Sequence, residues 1–334
     1  MGIATQVYSP SQWQFAIKAE TTTGTANTTA MLLLNVDGDV SVTQEIVQTL
    51  DVRSGGSGRT LKAADVHTTD LGSQLTTISV PIVMDGAIDA TILANVLGTA
   101  VGTSPASFDL AYNYAPDGRE TGATSGDETH SLTFAIVSPQ ADESRIFTGG
   151  GFSTVNVVMS SDNDGGRRHA TLTYTTRFRP ADGAAAPSGL VAYNSTFRYL
   201  REFNTTKTVG GVDVILNKVE YTIENPYTYT GYQGANGDPE IIHRGINEAK
   251  VTMVIGVKYD ANTANFWEKR RAGTIIAVEL SDNATWASAT FGIKASYCKI
   301  TDNVNPVGTD AGVFQDLQLQ ATGSTSGDII QIVP

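Results

Sequence analysis

The sequence predicts a mainly β protein built as a tandem duplication, each copy carrying one short helix. Three observations carry this. Charged residues make up 17% of the 334-residue chain, well under the usual quarter, while Gly (33) and Thr are abundant, which suits strands and turns better than long surface helices. Several stretches alternate apolar and polar residues in period two, the mark of half-buried strands. Finally, two stretches about half the chain apart spell one phrase of strand, aspartate, helix and glycine. A period this long makes the repeat the unit of the fold.

The first copy of that phrase is the apolar run from Ile78 to Met84, then Asp85, the helical stretch from Ala87 to Leu97, and Gly98. The second is Val251 to Val257, then Asp260, Ala261 to Ala272, and Gly273. Aspartate and glycine lie 13 positions apart in both. An aspartate side chain accepts from orphan N–H groups at a helix start, and glycine adopts the left-handed conformation that closes one, so Asp85, Gly98, Asp260 and Gly273 are matched start and stop signals.

Taken in order, Val40 and Val42 open a first strand after Leu34-Asn35. The Gly/Ser-rich stretch from Arg53 to Thr60 begins a long loop before the Ile78 strand. In the first helix Ile88, Ile92 and Val96, with Leu93 and Leu97 beside them, form an apolar stripe that predicts a helix lying on a sheet. Val155, Val157 and Met159 alternate with polar partners, and Asp162 to Gly166 supplies the positive-φ residues of a hairpin connection. The returning strand spans 171–178, with Leu172, Tyr174 and Phe178 on one face.

A small-residue stretch bracketed by Pro180 and Pro187 then marks a boundary close to midway, dividing the chain into 1–183 and 184–334. Beyond it the plan repeats. Val219, Tyr221 and Ile223 alternate against Glu220, Thr222 and Glu224, and Leu216-Asn217 stands before them as Leu34-Asn35 does in the first copy. A second long loop starts at Asn225 and carries Tyr227, Tyr229 and Tyr232. Phe291, Ile293, Ala295 and Tyr297 mark another strand, and Leu317, Leu319 and Ala321 a final one. The second helix carries Phe266 and Trp267 and ends in Lys269-Arg270-Arg271, cations that complement a helix C-terminus or meet an acidic partner surface.

The chemistry-bearing residues nominate no catalyst. There is no Walker A loop, dinucleotide fingerprint, nucleophile elbow or H-E-x-x-H motif. His67, His130, His169 and His243 are scattered, without metal-ligand spacing to one another or to Cys298. Asp162-x-Asp164-Gly165 resembles the start of a calcium loop but lacks the third ligand pair and the terminal glutamate, which favours a plain turn; Asp37-Gly38-Asp39 reads the same way. Carboxylate pairs such as Asp142-Glu143 normally face solvent in an acidic protein. No cofactor is expected.

A single cysteine rules out an internal disulfide framework, fits a reducing cytoplasm, and makes Cys298 a small core residue. The N-terminus lacks a signal peptide pattern, and with no run of 18 apolar residues no transmembrane helix is expected. The sequons at Asn27, Asn194, Asn204 and Asn283 matter only in a secretory pathway. Net charge is −12, pI about 4.7, which argues against nucleic-acid affinity, because that affinity comes from Lys and Arg neutralising phosphates. Tyrosine offers area with few rotors, so the Tyr227, Tyr229 and Tyr232 cluster reads as inter-subunit packing in preference to a sugar- or base-stacking platform.

One resemblance becomes specific on these residues. The run from Leu216 to Pro226, a long loop with Gly245 near its end, the strand from Val251 to Val257, the capped helix to Gly273 and the strands around Phe291 together resemble a tail tube protein (major tail protein) of long-tailed bacteriophages. The first copy follows the same plan and opens with Ala19 to Thr25, similar to the start of many such proteins. The resemblance implies two tandem β-sandwich or half-barrel modules, each with one flanking α-helix, the inner sheets joining their neighbours to line a tube. Single-module members form hexameric rings, so a duplicated chain is expected to form trimers that imitate one. The resemblance also implies a virion-tail protein made in the host bacterial cytoplasm, with tape measure and tail terminator or distal tail proteins as partners. It maps the contact loops onto Arg53 to Leu71 and Tyr227 to Gly245, so Arg53, Arg59, Lys62, Tyr227, Tyr229, Tyr232 and Arg244 become candidate inter-subunit or inter-ring residues.

If each of six modules gives four strands to an inner wall, about 24 strands spaced about 4.8 Å and tilted roughly 40° close at a diameter of about 48 Å. Side chains narrow that to roughly 35–40 Å, enough for a duplex about 20 Å across. An acidic balance then lets DNA pass without sticking. Two other readings remain open at this level: a surface-layer or fibre component, which a secretion signal would favour, and a carbohydrate-binding tail component, which needs an aromatic platform or a carboxylate pair on a repetitive β-array.

Overall fold

A computed structural model of the protein describes residues 12–52, 66–98, 107–111, 131–140, 142–193, 196–230, 241–244, 249–261, 263–303, 307–309, 312–323 and 328–334. The first half contains β1 (Gln14–Ala19), β2 (Leu32–Leu33), β3 (Ser41–Val52), β4 (Val66–Val83), α1 (Gly86–Leu97), β5 (Phe108–Ala111), β6 (Leu132–Val137), β7 (Ser144–Ser160), β8 (His169–Thr176) and β9 (Ala181–Ala184). The second half contains β10 (Thr206–Val209), β11 (Val212–Asp213), β12 (Leu216–Glu224), β13 (Tyr227–Thr230), β14 (Ile241–Arg244), β15 (Lys250–Lys258), α2 (Phe266–Arg271), β16 (Ile275–Ser281), β17 (Gly292–Asn303), β18 (Val307–Thr309), β19 (Gly312–Ala321) and β20 (Asp328–Val333). The protein is mainly β, and the pairings between these strands are antiparallel.

The two halves repeat strand for strand. In the first, β1 pairs with β2 and β6, β6 with β7, β7 with β8, β8 with β4, and β4 with β3. In the second, β10 pairs with β11 and β16, β16 with β17, β17 with β19, β19 with β15, and β15 with β12. The irregularities coincide as well. The register shift between Leu132 and Phe134 on β6 has its counterpart between Ile276 and Val278 on β16, and that between Phe152 and Thr154 on β7 has its counterpart between Ile300 and Asp302 on β17. Bulges bend and twist a strand, which lets β7 and β17 each serve two differently directed ladders.

Two ladders tie the halves together, β5–β20 and the longer β7–β12. β7 pairs with β12 through seven residue pairs, from Ser160 opposite Lys218 to Thr154 opposite Glu224. The result is an uninterrupted run of eight strands, β3-β4-β8-β7-β12-β15-β19-β17. Its inner face belongs to one continuous apolar core reaching from Ile17 to Ile332.

Local chemistry accounts for the helices. Asp85 accepts from the Ile88 N–H at 3.2 Å, and the α1 stripe of Ile88, Ile92, Leu93 and Val96 is fully buried. Burying each such side chain stabilises by about 1.5–3 kcal/mol relative to exposure. α1 ends at Gly98, whose φ of 105° only glycine adopts cheaply. α2 is shorter than the sequence predicts, beginning at Phe266 and not at Ala261. The reason is a turn closed on itself: Thr263 N–H donates to the Asp260 carboxylate at 3.2 Å, and Asp260 N–H donates to the Thr263 hydroxyl at 2.9 Å. At its other end Gly273 N–H reaches Arg270 O (3.0 Å) and Thr274 N–H reaches Lys269 O (2.9 Å), the paired bonds of a Schellman motif.

Two strand expectations are corrected. β8 ends at Thr176, so Thr176 and not Phe178 completes the buried face with Leu172 and Tyr174. The last strand is β20, which pairs with β17 and with β5 of the first half. Its Ile330 and Ile332 are fully buried, and their period-two spacing was the available signal.

Candidate assembly edges and polar sheet face

Beside the β5–β20 ladder, the contact between the halves is a closed junction with three components. The first is the β7–β12 ladder, reinforced by Asn156, whose amide donates to Glu220 Oε1 (3.1 Å) and Thr222 Oγ1 (2.7 Å). Burial works to raise the Glu220 carboxyl, but hydrogen bonds from Lys218 and Asn156 outweigh it and hold the pKa below the ordinary value.

The second component is the β13–β14 arm, which folds over the first half. Asn225 donates to Val96 O at 2.8 Å, Asn95 donates to the Tyr227 hydroxyl at 3.0 Å, and the Tyr229 hydroxyl donates to Thr175 O at 2.9 Å. Gly151 makes room for the arm, since a Cβ there would lie 2.6 Å from the Tyr227 ring and 2.8 Å from the Asn95 amide.

The third is a buried polar cluster beneath the β7–β8 turn. Arg168, 1% exposed, is ion-paired with the fully buried Asp89 of α1. Its guanidinium also lies 5.5 Å from the Phe291 ring centre in the second half. Burial pushes the Arg168 pKa down, and the neighbouring Tyr221 hydroxyl opposes that shift only in part.

The ends of the eight-stranded run are open. Among the described residues β3 has a ladder partner on one side only, β4, whereas its counterpart β12 lies between β15 and β7. Burial follows directly: Val219, Tyr221 and Ile223 of β12 are 2%, 1% and 0% exposed, while Ser41 to Glu45 of β3 are exposed and Val42 reaches 40%. At the far end, β17 beyond Ile300 and its continuation β18 pair with β19 alone.

The face of the run turned away from the core is hydroxyl- and amide-rich. One row across it reads Thr171, Asn156, Thr222, Thr252, Gln320 and Lys299 in register. Charges of both signs occur along its described strands, among them Glu45, Glu220, Glu224 and Asp316 with Lys218, Lys250, Lys258 and Lys299, and Lys218 is bonded to Glu220 at 2.7 Å.

Of the sequence-predicted contact residues, Arg53, Arg59, Lys62 and Tyr232 lie outside the described residues. Arg244 closes β14, opposite Tyr227 in register. Tyr227 and Tyr229 stand together at 6.2 Å on the β13 arm, their hydroxyls engaged by the first half of the same chain. The basic triplet is spent locally, Lys269 on Gly210 O (3.0 Å), Arg270 on Asp302 (2.8 Å) and Arg271 on Glu268 (3.2 Å).

Sequence reasoning missed Asn95, Gly151 and Asn225, which act across the halves, and the Arg168–Asp89 pair inside the first half, whose guanidinium alone reaches the second at Phe291. Asp164 engages Arg167 (3.4 Å) and His169 (3.5 Å), and the described residues hold no cluster of three metal-ligating side chains. Cys298 is fully buried, its thiol pushed up to about 12. No described helix is long and apolar enough to cross a membrane.

A duplicated antiparallel sheet with two ends unpartnered among the described residues leaves backbone edges open to a further strand. The phage tail tube protein family model matches residues 11–321, and the chain belongs to that family. It is a structural subunit of a bacteriophage tail tube. No curated protein matches the chain.

Proposed function

We propose that residues 1–183 and 184–334 are two tube modules and that three chains close into a pseudo-hexameric ring, rings stacking into the tube. The observation that carries this is the β7–β12 ladder, with β3 and β17–β18 left open at the positions that β12 and β7 occupy in the closed junction. Joining the β17–β18 edge of one copy to β3 of the next repeats the internal arrangement, and three copies of an eight-stranded run supply about 24 strands, the number that closes at a diameter of about 48 Å. Closure also removes sheet edges that otherwise invite indiscriminate pairing.

The hydroxyl-rich face lines the conduit. Genome DNA passes without tight binding because carboxylates share this face with its lysines, Lys218 bonding Glu220, and the chain's net charge of −12 favours an acidic lining. The role is structural and not catalytic. Tape measure and tail terminator or distal tail proteins are the partners of the assembled virion tail, whose subunits are made in the host cytoplasm. Arg53, Arg59, Lys62 and Tyr232 make contacts between subunits or rings, as does Arg244 at the end of β14.

Electron cryomicroscopy of the purified chain tests this. The expected particle is a hollow ring or tube with threefold symmetry and an open bore. A solitary particle at all concentrations, or a channel plugged or coated with cations, overturns it.

A further inference from the structure

The first half carries a groove whose chemistry the second half does not repeat. Its volume is about 780 Å3, within the range of small-molecule sites of about 300–1,000 Å3. Trp13 directly before β1, Gln14 and Phe15 on β1, Asn35 and Asp39 between β2 and β3, and Tyr193 on the link to the second half all line it. Backbone bonds pin each wall. Leu34 N–H donates to Phe15 O (2.8 Å), Val83 N–H to Asn35 O (2.9 Å), Asp37 N–H to Pro81 O (2.9 Å), and Leu33 N–H to Val191 O (3.0 Å), two residues before Tyr193.

The same bonds identify the twin positions. Val214 N–H donates to Lys207 O (2.9 Å) as Leu34 N–H does to Phe15 O, and Leu216 pairs with Val257, three residues before Asp260, as Val36 bridges Ile82, three before Asp85. Trp13, Phe15 and Asn35 therefore stand where Thr205, Lys207 and Ile215 stand in the second half. The module folds there without aromatics or an amide, so the fold itself does not demand them. Nor are they spent within the chain: the side-chain polar atoms of Gln14, Asn35, Asp39 and Tyr193 have no hydrogen-bond partner among the described residues, and Tyr193 is 51% exposed.

We propose that this groove binds a neutral saccharide. Aromatic side chains receive the C–H faces of a sugar ring, while amides, which both donate and accept, and a carboxylate, which accepts from neighbouring hydroxyls, match its rim. Charge narrows the class. The lining holds one carboxylate and no Lys or Arg, which repels phosphorylated and acidic sugars. A purely apolar ligand is disfavoured in turn, because it strips water from Gln14, Asn35 and Asp39 without replacing the hydrogen bonds. The site goes beyond the tube and is compatible with it. In the closed junction residues 159–168 lie between the paired Val158 and His169, whereas only 308–313 lie between Val307 and Phe314. A neighbour joined at β3 brings the shorter connection and leaves the groove room for a ligand.

A chain with Trp267→Phe and Trp286→Phe keeps Trp13 as its one tryptophan. Its emission is followed as glucose, galactose, N-acetylglucosamine and neutral oligosaccharides of each are added, with glucose 6-phosphate and choline as charged probes. The expected result is a saturable change with a neutral sugar. Asp39→Ala and Tyr193→Ala should each weaken it about tenfold, the loss of one good contact, while Ile215→Ala at the twin position leaves it unchanged. A response to monomers alone marks a free sugar and a response to chains a polymeric glycan, and either supports the proposal. A folded chain silent to every neutral sugar, one that answers equally to choline or glucose 6-phosphate, or binding that survives both substitutions overturns it. If the double Phe variant does not fold, saturation-transfer NMR on the unmodified chain reads the same titration. Rings that lose the response on assembly also overturn it, since the groove is then a contact between copies, and leave the ring standing. A sugar response in a chain that never forms rings counts against the ring alone.

Discussion

β3 and β12 occupy the same place in the two halves, yet one is wrapped and the other bare. Both pair antiparallel with the strand that leads to a capping aspartate, β4 or β15. Tyr221 opposes Met253 and is 1% exposed, while Val42 opposes Ile78, the matching position, and is 40% exposed. The strands differ in what lies on the other side: β12 has β7 and β3 has nothing among the described residues. Burial in this molecule is therefore set by the seam and not by the strand's own sequence. The seam has also been tailored. Arg168 and Asp89 correspond to Val313 and Ala264 in the second half, so an ion pair in the internal junction is replaced by apolar residues at its twin.

That difference is open to attack. The largest effect is expected from Arg168→Ala, which strands Asp89 in the core and should cost about 3–5 kcal/mol in denaturant unfolding. The paired change Arg168→Val with Asp89→Ala, which copies the other half, should recover most of it; failure to recover would mean that the pair does more than neutralise itself. Next, Ile223→Ala on the wrapped strand should cost about 2–5 kcal/mol, whereas Val42→Ala on the bare strand should cost under about 0.5 kcal/mol in the unassembled chain. Equal losses would erase the distinction between the strands. Gly151→Ala should push the Tyr227 ring off α1 and cost about 1–3 kcal/mol, read as faster amide exchange in β13 and β14 with β7–β8 unchanged.

The smallest effects concern pH, and they carry opposite signs at two ladders joining the halves. The Glu220 carboxyl has a depressed pKa, so its contribution is present above the ordinary value of 4.5 and disappears as pH falls through the lower folded value. At the β5–β20 ladder, burial raises both Asp109 and Asp328, so their ionisation destabilises as pH rises above 3.8. Asp328→Asn should thus stabilise at pH 7 by under about 1 kcal/mol, a gain that vanishes in acid. Glu220→Gln should destabilise at pH 7 and be neutral in acid. Thermal unfolding across pH separates the two.

The parts of the fold legible in the sequence were those written in short-range patterns. The α1 stripe and the β7–β8 turn with Gly165 and Gly166 at positive φ depend on neighbours within a few residues. The start of α2 was misplaced because Asp260 and Thr263 satisfy each other, a local contest that spacing alone does not decide. The seam was invisible for a different reason. Asn95 and Tyr227 are 132 residues apart, and nothing in either neighbourhood marks the other. Tyr227 and Tyr229 stood out by composition, but composition does not say which surface a tyrosine meets.

The β7–β12 ladder connects strands of one polypeptide, so it forms by a first-order event whose yield is indifferent to dilution. Any contact made at β3 is second order in chain concentration. A ring of alternating seams would then come apart on dilution into whole chains and never into half-chains, and its growth would require two encounters where six separate units would require five.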